Sequence, residues 1–442
     1  MVKFFLKTPI VLLTFVLLIG FVLRHHNLYT WPREGATFDE FAWTFLGLSM
    51  WNTGEPTSWS PHTVYKIKKE YFNPQGAHFT LVTPYLEHPP LFGLIAGGFA
   101  RLSGVNTFDQ VNISKIRPLA LILGILAIVS VYLLTQLMYG NTVGLLAAGI
   151  YGLIPSVAIG SRLVQNENFF IPFFLLSLYF GYRYVRHSVK KDLYIGIGIA
   201  SLLPLAKVPW IAAPFALVCL FAYSKKWNAV VQVACVTLCS FSVFLLWGYM
   251  LDREVFINLW KLQLARYDMH FDSLFVLFHD PLIVDRRFVD GWIYFGWGAM
   301  LLTIAKDFKK HAPIVIGFLS YALVFVSAIP AEPLHGWYRY PFYPFLAISI
   351  ALTIYEYWES NLFVIAIWEL FVGLSMLVVG FEQFFGFSYM IYRSYIAAIV
   401  IGVLPQLFSS LSRYRIFRYT RIVSVIFVCL LTVFAIFSYT EQ

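Results

Sequence analysis

Along most of the chain, apolar runs of roughly 20 residues alternate with short polar turns, and a helix needs about 20 residues to cross the roughly 30 Å hydrocarbon layer. The runs fall at 8–23, 118–138, 143–160, 168–184, 192–206, 209–223, 228–250, 291–305, 312–329, 341–358, 361–379, 396–411 and 422–438. Read as helices, they predict thirteen spans. The strict apolar–polar alternation of an outer-membrane barrel is absent, and a helix satisfies its own backbone groups where no water reaches. The predicted fold class is all-α: a polytopic transmembrane helical bundle of about 13 spans, forming one transmembrane domain over 1–442, with outward-facing loops and interfacial helices.

Two polar stretches break the rhythm, at 24–117 and 251–290. Within the first, residues 91–103 are apolar but too short to span, which predicts a helix lying at the interface. The basic start, Met1 to Lys7, followed by apolar 8–23, has the outline of a secretory leader. The chain then continues Arg24-His25-His26-Asn27 with no small-residue cleavage site, so the segment reads as a retained first span.

Composition narrows the class further. The chain is 59% hydrophobic and 12% charged, with a mean hydropathy of +0.71, too little charge to cover a soluble protein of 442 residues. Its net charge of +9 would suit a nucleic-acid partner, but the basic residues have a different explanation. With thirteen spans, the side of the N-terminus holds Lys3, Lys7, Arg183, Arg186, Lys190, Lys191, Lys225, Lys226, Lys306, Lys309, Lys310, Arg413, Arg415, Arg418 and Arg421. The short loops opposite hold only Arg162, Lys207, Arg339 and Arg393. Lysine and arginine collect on the cytoplasmic side, so the N-terminus is placed there and both long loops face outward. The four cysteines, Cys219, Cys235, Cys239 and Cys429, lie inside apolar runs, the wrong place for a disulfide framework.

Candidate chemistry gathers on that outer side. Asp39-Glu40 follows the first span, and Glu167 stands at the mouth of another. Paired carboxylates suit general-base work, in which one activates a hydroxyl or amine and the other orients it. An ionisable group at a span is costly and is therefore a functional candidate. The plainer alternatives are that Asp39 caps a helix and that Glu167 pairs with Arg162. In Glu87-His88-Pro89-Pro90-Leu91, two prolines stiffen the start of the interfacial helix and put polar groups at headgroup depth. Lys207, together with His335, Arg339 and Tyr340, supplies cations and a phenol suited to a phosphate, with snorkelling as the alternative for a lone cation. No P-loop, zinc spacing or HExxH motif occurs, which argues against ATP-driven work and zinc hydrolysis.

These residues together resemble the GT-C superfamily of membrane glycosyltransferases, most closely its protein O-mannosyltransferase-like branch (family 39) and the related lipid A aminoarabinose transferases. The matching features are Asp39-Glu40 after the first span, His88-Pro89-Pro90-Leu91 before an interfacial helix, and Arg162 five residues before Glu167. Lys207 after a span and Arg339-Tyr340 four residues before Pro344 complete the order. The resemblance implies sugar transfer from a polyprenyl-phosphate-linked donor to a lipid, glycan or protein acceptor, on the outer face, without a required metal. Asp39 would be the base, with Glu40 beside it and Glu167 as second carboxylate. His88, Arg162, Lys207, His335, Arg339 and Tyr340 would contact substrate. An apolar chain with no targeting tail is expected in the plasma membrane of a bacterium or archaeon, and the loop placement of the basic residues leaves no nucleic-acid partner expected. A secondary transporter, or an oligosaccharide ligase, is the alternative, although no internal repeat of the transporter kind is found. Thirteen spans put the C-terminus outside: a phosphatase reporter fused after Gln442 should be active and one fused after Lys226 inactive, and the reverse would invert the topology.

Overall fold

In a computed structural model, the structure describes residues 9–265, 277, 290–328, 336–359, 362–381, 388–407 and 415–439. Among the described residues, each predicted apolar run falls largely on helix. In chain order these helices are α1 (Pro9–His25), α4 (Ile113–Tyr139), α5 (Asn141–Leu153) with the short α6 (Pro155–Gly160), α7 (Asn166–His187) and α8 (Lys190–Leu202). There follow α9 (Ala212–Tyr223), α10 (Trp227–Leu251), α12 (Gly291–Lys306), α13 (Phe308–Ala328), α14 (Tyr343–Tyr357), α15 (Leu362–Phe381), α16 (Tyr389–Leu407) and α17 (Arg415–Ser438). By length and composition alone, Ile113–Tyr139, Trp227–Leu251, Phe308–Ala328 and Arg421–Ser438 suffice to cross a membrane. Proline explains several of the shorter pieces. Pro155 stands at the first turn of α6, where its missing N–H costs nothing, and so restarts the run as a second helix. Pro204 and Pro209 tighten the chain on either side of Lys207 into 3-10 turns.

The stretch expected to be an irregular polar loop is largely ordered. It contains α2 (Asp39–Thr53), three short strands and α3 (Leu91–Leu102), and α11 (Arg253–Ala265) begins the second outer stretch. The strands β1 (Ser58–Trp59), β2 (Ile67–Phe72) and β3 (His78–Thr83) pair antiparallel in the order β1-β3-β2, with Ile67 opposite Thr83 and Phe72 opposite His78. Gly76, at φ +85°, makes the turn between β2 and β3, and the Asn73 side chain accepts from Ala77 N at 2.7 Å. Phe79, Leu81 and Val82 of β3 are buried, whereas Lys68, Lys69 and Glu70 of β2 are exposed.

At 12 residues, α3 is about 18 Å long by the helical rise, too short to span and as predicted for residues 91–103. It packs on α2 at backbone contact: a Cβ on Gly97 would lie 2.2 Å from the Leu48 nitrogen, and one on Gly47 would lie 1.8 Å from the Gly93 carbonyl oxygen. Trp51 Nε1 donates to Leu94 O at 2.9 Å and Arg101 donates to Trp51 O at 2.8 Å, so α2 and α3 move as a unit. At the other long loop, Asp290 caps two helices at once. One oxygen accepts from Trp292 N at the start of α12 (3.0 Å) and the other from Ser156 N at the start of α6 (3.0 Å). All four cysteines are free thiols.

Burial pushes the Asp290 carboxyl up from its usual 3.8 to about 6, in spite of those backbone donors. A raised carboxyl favours the fold most when protonated, so this group's contribution is full below about pH 4 and is lost as pH rises through about 6. Thermal unfolding of Asp290→Asn should therefore lack that component of the slope, while Asp290→Ala, which loses the caps, should cost about 1–2 kcal/mol. An unchanged pH profile in Asp290→Asn would contradict the assignment.

Candidate active site

Asp39 and Glu40 open α2, where the exposed N–H groups of a first turn favour carboxylates. Successive helical residues point about 100° apart, so the two side chains leave the helix in different directions. Glu40 goes inward and is fully buried. Arg117 grips it with two parallel bonds, Nε to Oε1 at 3.1 Å and Nη2 to Oε2 at 2.9 Å, and Val164 N adds a third at 3.0 Å. The other donors of Arg117 reach the carbonyls of Leu28 and Pro32. Both oxygens of Glu40 are thus engaged in holding α2 against the bundle. Asp39 is half-buried and keeps its place through Thr37, whose hydroxyl accepts from Asp39 N at 3.2 Å and from Gln165 Nε2 at 3.1 Å.

Glu167 enters from the first turn of α7 and is also fully buried. Its partner is Lys207, whose Nζ lies 2.8 Å from Oε1, and not Arg162 as the plainer alternative held. Two further contacts fix the ammonium: it donates to the Tyr338 hydroxyl at 3.3 Å, and it sits 4.4 Å from that ring's centre. The backbone beneath is pinned by Asn166, which donates to Ala206 O at 2.9 Å and accepts from Trp210 Nε1 at 2.6 Å. Burial opposes the charge on Lys207, but Glu167, Tyr338 and Asp39 outweigh it and hold the ammonium well above its ordinary pKa. Asp39 and Glu167, 128 positions apart, therefore act on one cation, while Glu167 Oε2 has no hydrogen-bond partner.

A second polar group lies alongside. Glu87 is buried and accepts from Ser60 Oγ at 2.9 Å and from Gln263 Nε2 of α11 at 3.3 Å, with His62 Nε2 at 3.4 Å. Burial alone would raise its pKa; the His62 bond, the charges of His88 and His62 and the Ser60 bond bring it below the ordinary value. His88 faces Trp43, ring centres 5.2 Å apart. Tyr85 is buried, and burial first, then the Glu87, Tyr65 and Asp39 charges, raise its pKa.

The remaining expected residues are placed differently. Arg162 is buried and donates to Trp31 O at 3.2 Å and Leu23 O at 2.9 Å. Burial, then the nearby Arg24 and Arg117, lowers its pKa to about 9. These bonds fasten the turn after α1. Arg339 and Tyr340 lie in the 3-10 stretch Gly336–Phe342, both buried, with the Tyr340 ring against Gly160, where a Cβ would come within 2.4 Å of the phenol oxygen. His335 lies outside the described residues. The sequence did not single out Tyr338, Trp210, His62 or Gln263; only Tyr338, adjacent to Arg339 in the aromatic 335–341 stretch, carried a signal.

The architecture defined by these helices, with its polar residues set in the connections between them, is the fold of the GT-C membrane glycosyltransferases. The family described as dolichyl-phosphate-mannose-protein mannosyltransferase matches residues 87–247, the part holding Glu87, His88, Arg162, Glu167 and Lys207. The chain is similar in structure to ArnT from Cupriavidus metallidurans bound to undecaprenyl phosphate, with a TM-score of 0.58, 16% identity, and coverage of 97% of this chain and 76% of that one. It is similar too to arabinosyltransferase EmbB from Mycobacterium smegmatis, with a TM-score of 0.51, 12% identity, and coverage of 97% of this chain and 40% of that one. Among curated proteins, no sequence matches the chain.

Removing one member of a buried pair strands the other's charge, so Lys207→Met should cost about 3–5 kcal/mol. Adding Glu167→Gln should restore part of that, as read from thermal unfolding in detergent; strictly additive losses would show the two side chains to be uncoupled.

Proposed function

We propose that the chain transfers a sugar from a polyprenyl-phosphate-linked donor to an acceptor hydroxyl or amine on the outer face of the membrane, by single displacement. The observation that carries this reading is the buried Glu167–Lys207 pair, whose ammonium also feels the charge of the half-buried Asp39. Displacement at an anomeric carbon makes two demands, a base for the acceptor proton and positive charge for the leaving oxygen. Asp39 takes the proton as the acceptor oxygen or nitrogen bonds to the anomeric carbon. The bond from that carbon to the donor phosphate oxygen breaks, its electron pair leaving on polyprenyl phosphate. Charge at the sugar becomes oxocarbenium-like in between, and one displacement inverts the anomeric centre. Lys207, with the Tyr338 hydroxyl, receives the phosphate, and Glu167 acts through Lys207 by holding it in place.

His88 and Tyr340 are assigned to the substrate-binding wall, and Arg339 to a second contact with the donor phosphate. His335 is kept with them on sequence grounds. The reaction as written uses no metal, because Lys207 supplies the charge. The matched dolichyl-phosphate-mannose-protein mannosyltransferase family, and the likeness to ArnT bound to undecaprenyl phosphate, support a polyprenyl-phosphate donor. The charge bias of the loops supports the outer face. The acceptor class is a lipid, glycan or protein.

Purified membranes should release polyprenyl phosphate from polyprenyl-phosphate sugars. Asp39→Asn at equal expression should slow this by about 10²–10⁴-fold, and EDTA should leave the wild-type rate unchanged. Full turnover by Asp39→Asn would remove the base assignment, and inhibition by EDTA reversed with added metal would remove the metal-free displacement.

A further inference from the structure

The far end of the bundle holds a cavity that the proposed reaction does not use. Helices α4, α12 and α14 begin near Arg117, Asp290 and Tyr340, and run to Tyr139, Lys306 and Tyr357. Their far ends, with the starts of α5 and α13, enclose a cavity of about 360 Å³. This end carries the basic clusters that the charge rule assigns to the cytoplasm.

The lining is two-sided. Val143, Leu302 and Leu352 give it an apolar wall, and Lys306, Lys310, His311, Thr353, Tyr139 and Glu356 give it a polar one. Part of the polar wall is committed. Lys306 bonds Glu356 at 2.8 Å and lies 4.3 Å from the centre of the Tyr357 ring, so that charge is balanced. The Tyr139 hydroxyl is bonded to His311 Nδ1 at 2.7 Å, which orients the imidazole and leaves Nε2 as its other polar atom. His311 is buried as a residue yet lines the cavity. Lys310 bonds through its backbone N–H to Asp307, and among the described residues its ammonium has no hydrogen-bond or ion-pair partner. An amphipathic cavity with such an ammonium, an oriented imidazole and a hydroxyl suits a phosphate carried on an apolar body.

We propose that this cavity is a phosphate-binding site for the headgroup of an anionic phospholipid of the inner leaflet. Lys310 supplies the charge-assisted bond, with His311 Nε2 and the Thr353 hydroxyl as neutral partners, and the glycerol and upper acyl carbons lie along the apolar wall. The site is separate from the outer carboxylates and does not depend on the transferase reading.

The test is thermal unfolding of the full chain in detergent, titrated with phosphatidylglycerol, phosphatidylcholine or inorganic phosphate. Phosphatidylglycerol should raise the midpoint saturably, and phosphatidylcholine should not. Lys310→Gln, an exposed position whose change spares the fold, should weaken the phosphatidylglycerol response about fivefold, and Thr353→Val should weaken it less. A response to inorganic phosphate that Lys310→Gln also removes keeps the phosphate site and assigns it to the free anion. An equal response to phosphatidylcholine, a response unchanged in Lys310→Gln, or no response to any of the three would overturn the proposal.

Discussion

The ion pair between Glu40 and Arg117 is the contact that ties the start of α2 to the helical bundle. Both side chains are fully buried, and their two parallel bonds leave no freedom of angle. Burying two charges costs several kcal/mol per ion unless each remaining donor and acceptor is satisfied. Here the surplus donors of Arg117 find the carbonyls of Leu28 and Pro32, and Glu40 takes Val164 N. One pair thus joins the turn after α1, the start of α2, the start of α4 and the stretch leading to α7. Because Asp39 is the next residue along the helix, fixing Glu40 also fixes where Asp39 points. The proposed base takes its position from its ion-paired neighbour.

The same logic recurs around it with different partners. Arg162 spends its charge on the carbonyls of Leu23 and Trp31, closing the turn from inside. Gly47, Gly93 and Gly97 let α2 and α3 touch at the backbone, which sets the spacing between Asp39 and the Glu87-His88 segment that introduces α3. Asn166 ties the turn of Glu167 to the turn of Lys207, so that an ammonium and a carboxylate 40 positions apart meet at 2.8 Å. Ordinary helix ends and turns would leave these groups in water. Here each is braced from behind, as electrostatic stabilisation of a transition state requires.

The helices were legible because their signal is length and apolarity, both of which the hydrocarbon layer demands of any spanning segment. The long polar stretch after α1 was read less well. In α2, ten of fifteen residues are buried, on all sides of the helix, so no amphipathic period marks it, and its Trp and Phe content reads equally as loop or interface. The strands are two to six residues long and pair through a glycine turn, too short for alternation to show. At the site, Asp39, Glu40, Glu167, Lys207, Arg162 and Arg339 were all picked out as unusual. Their partners were not, because pairing depends on tertiary distance. Arg162, five residues from Glu167, was the obvious partner, yet Lys207 is the one that reaches it. Nothing in Asp39-Glu40 says which of the two turns inward; only the position of Arg117 decides it.

We propose that Lys207, held by Glu167 and Tyr338, is where the donor phosphate binds. A structure of the protein bound to polyprenyl phosphate tests this: a phosphate oxygen should lie within hydrogen-bond distance of Lys207 Nζ, with the Asp39 carboxylate facing the same space. A phosphate seated elsewhere, with Lys207 still enclosed by Glu167 and Tyr338 and out of its reach, would contradict it.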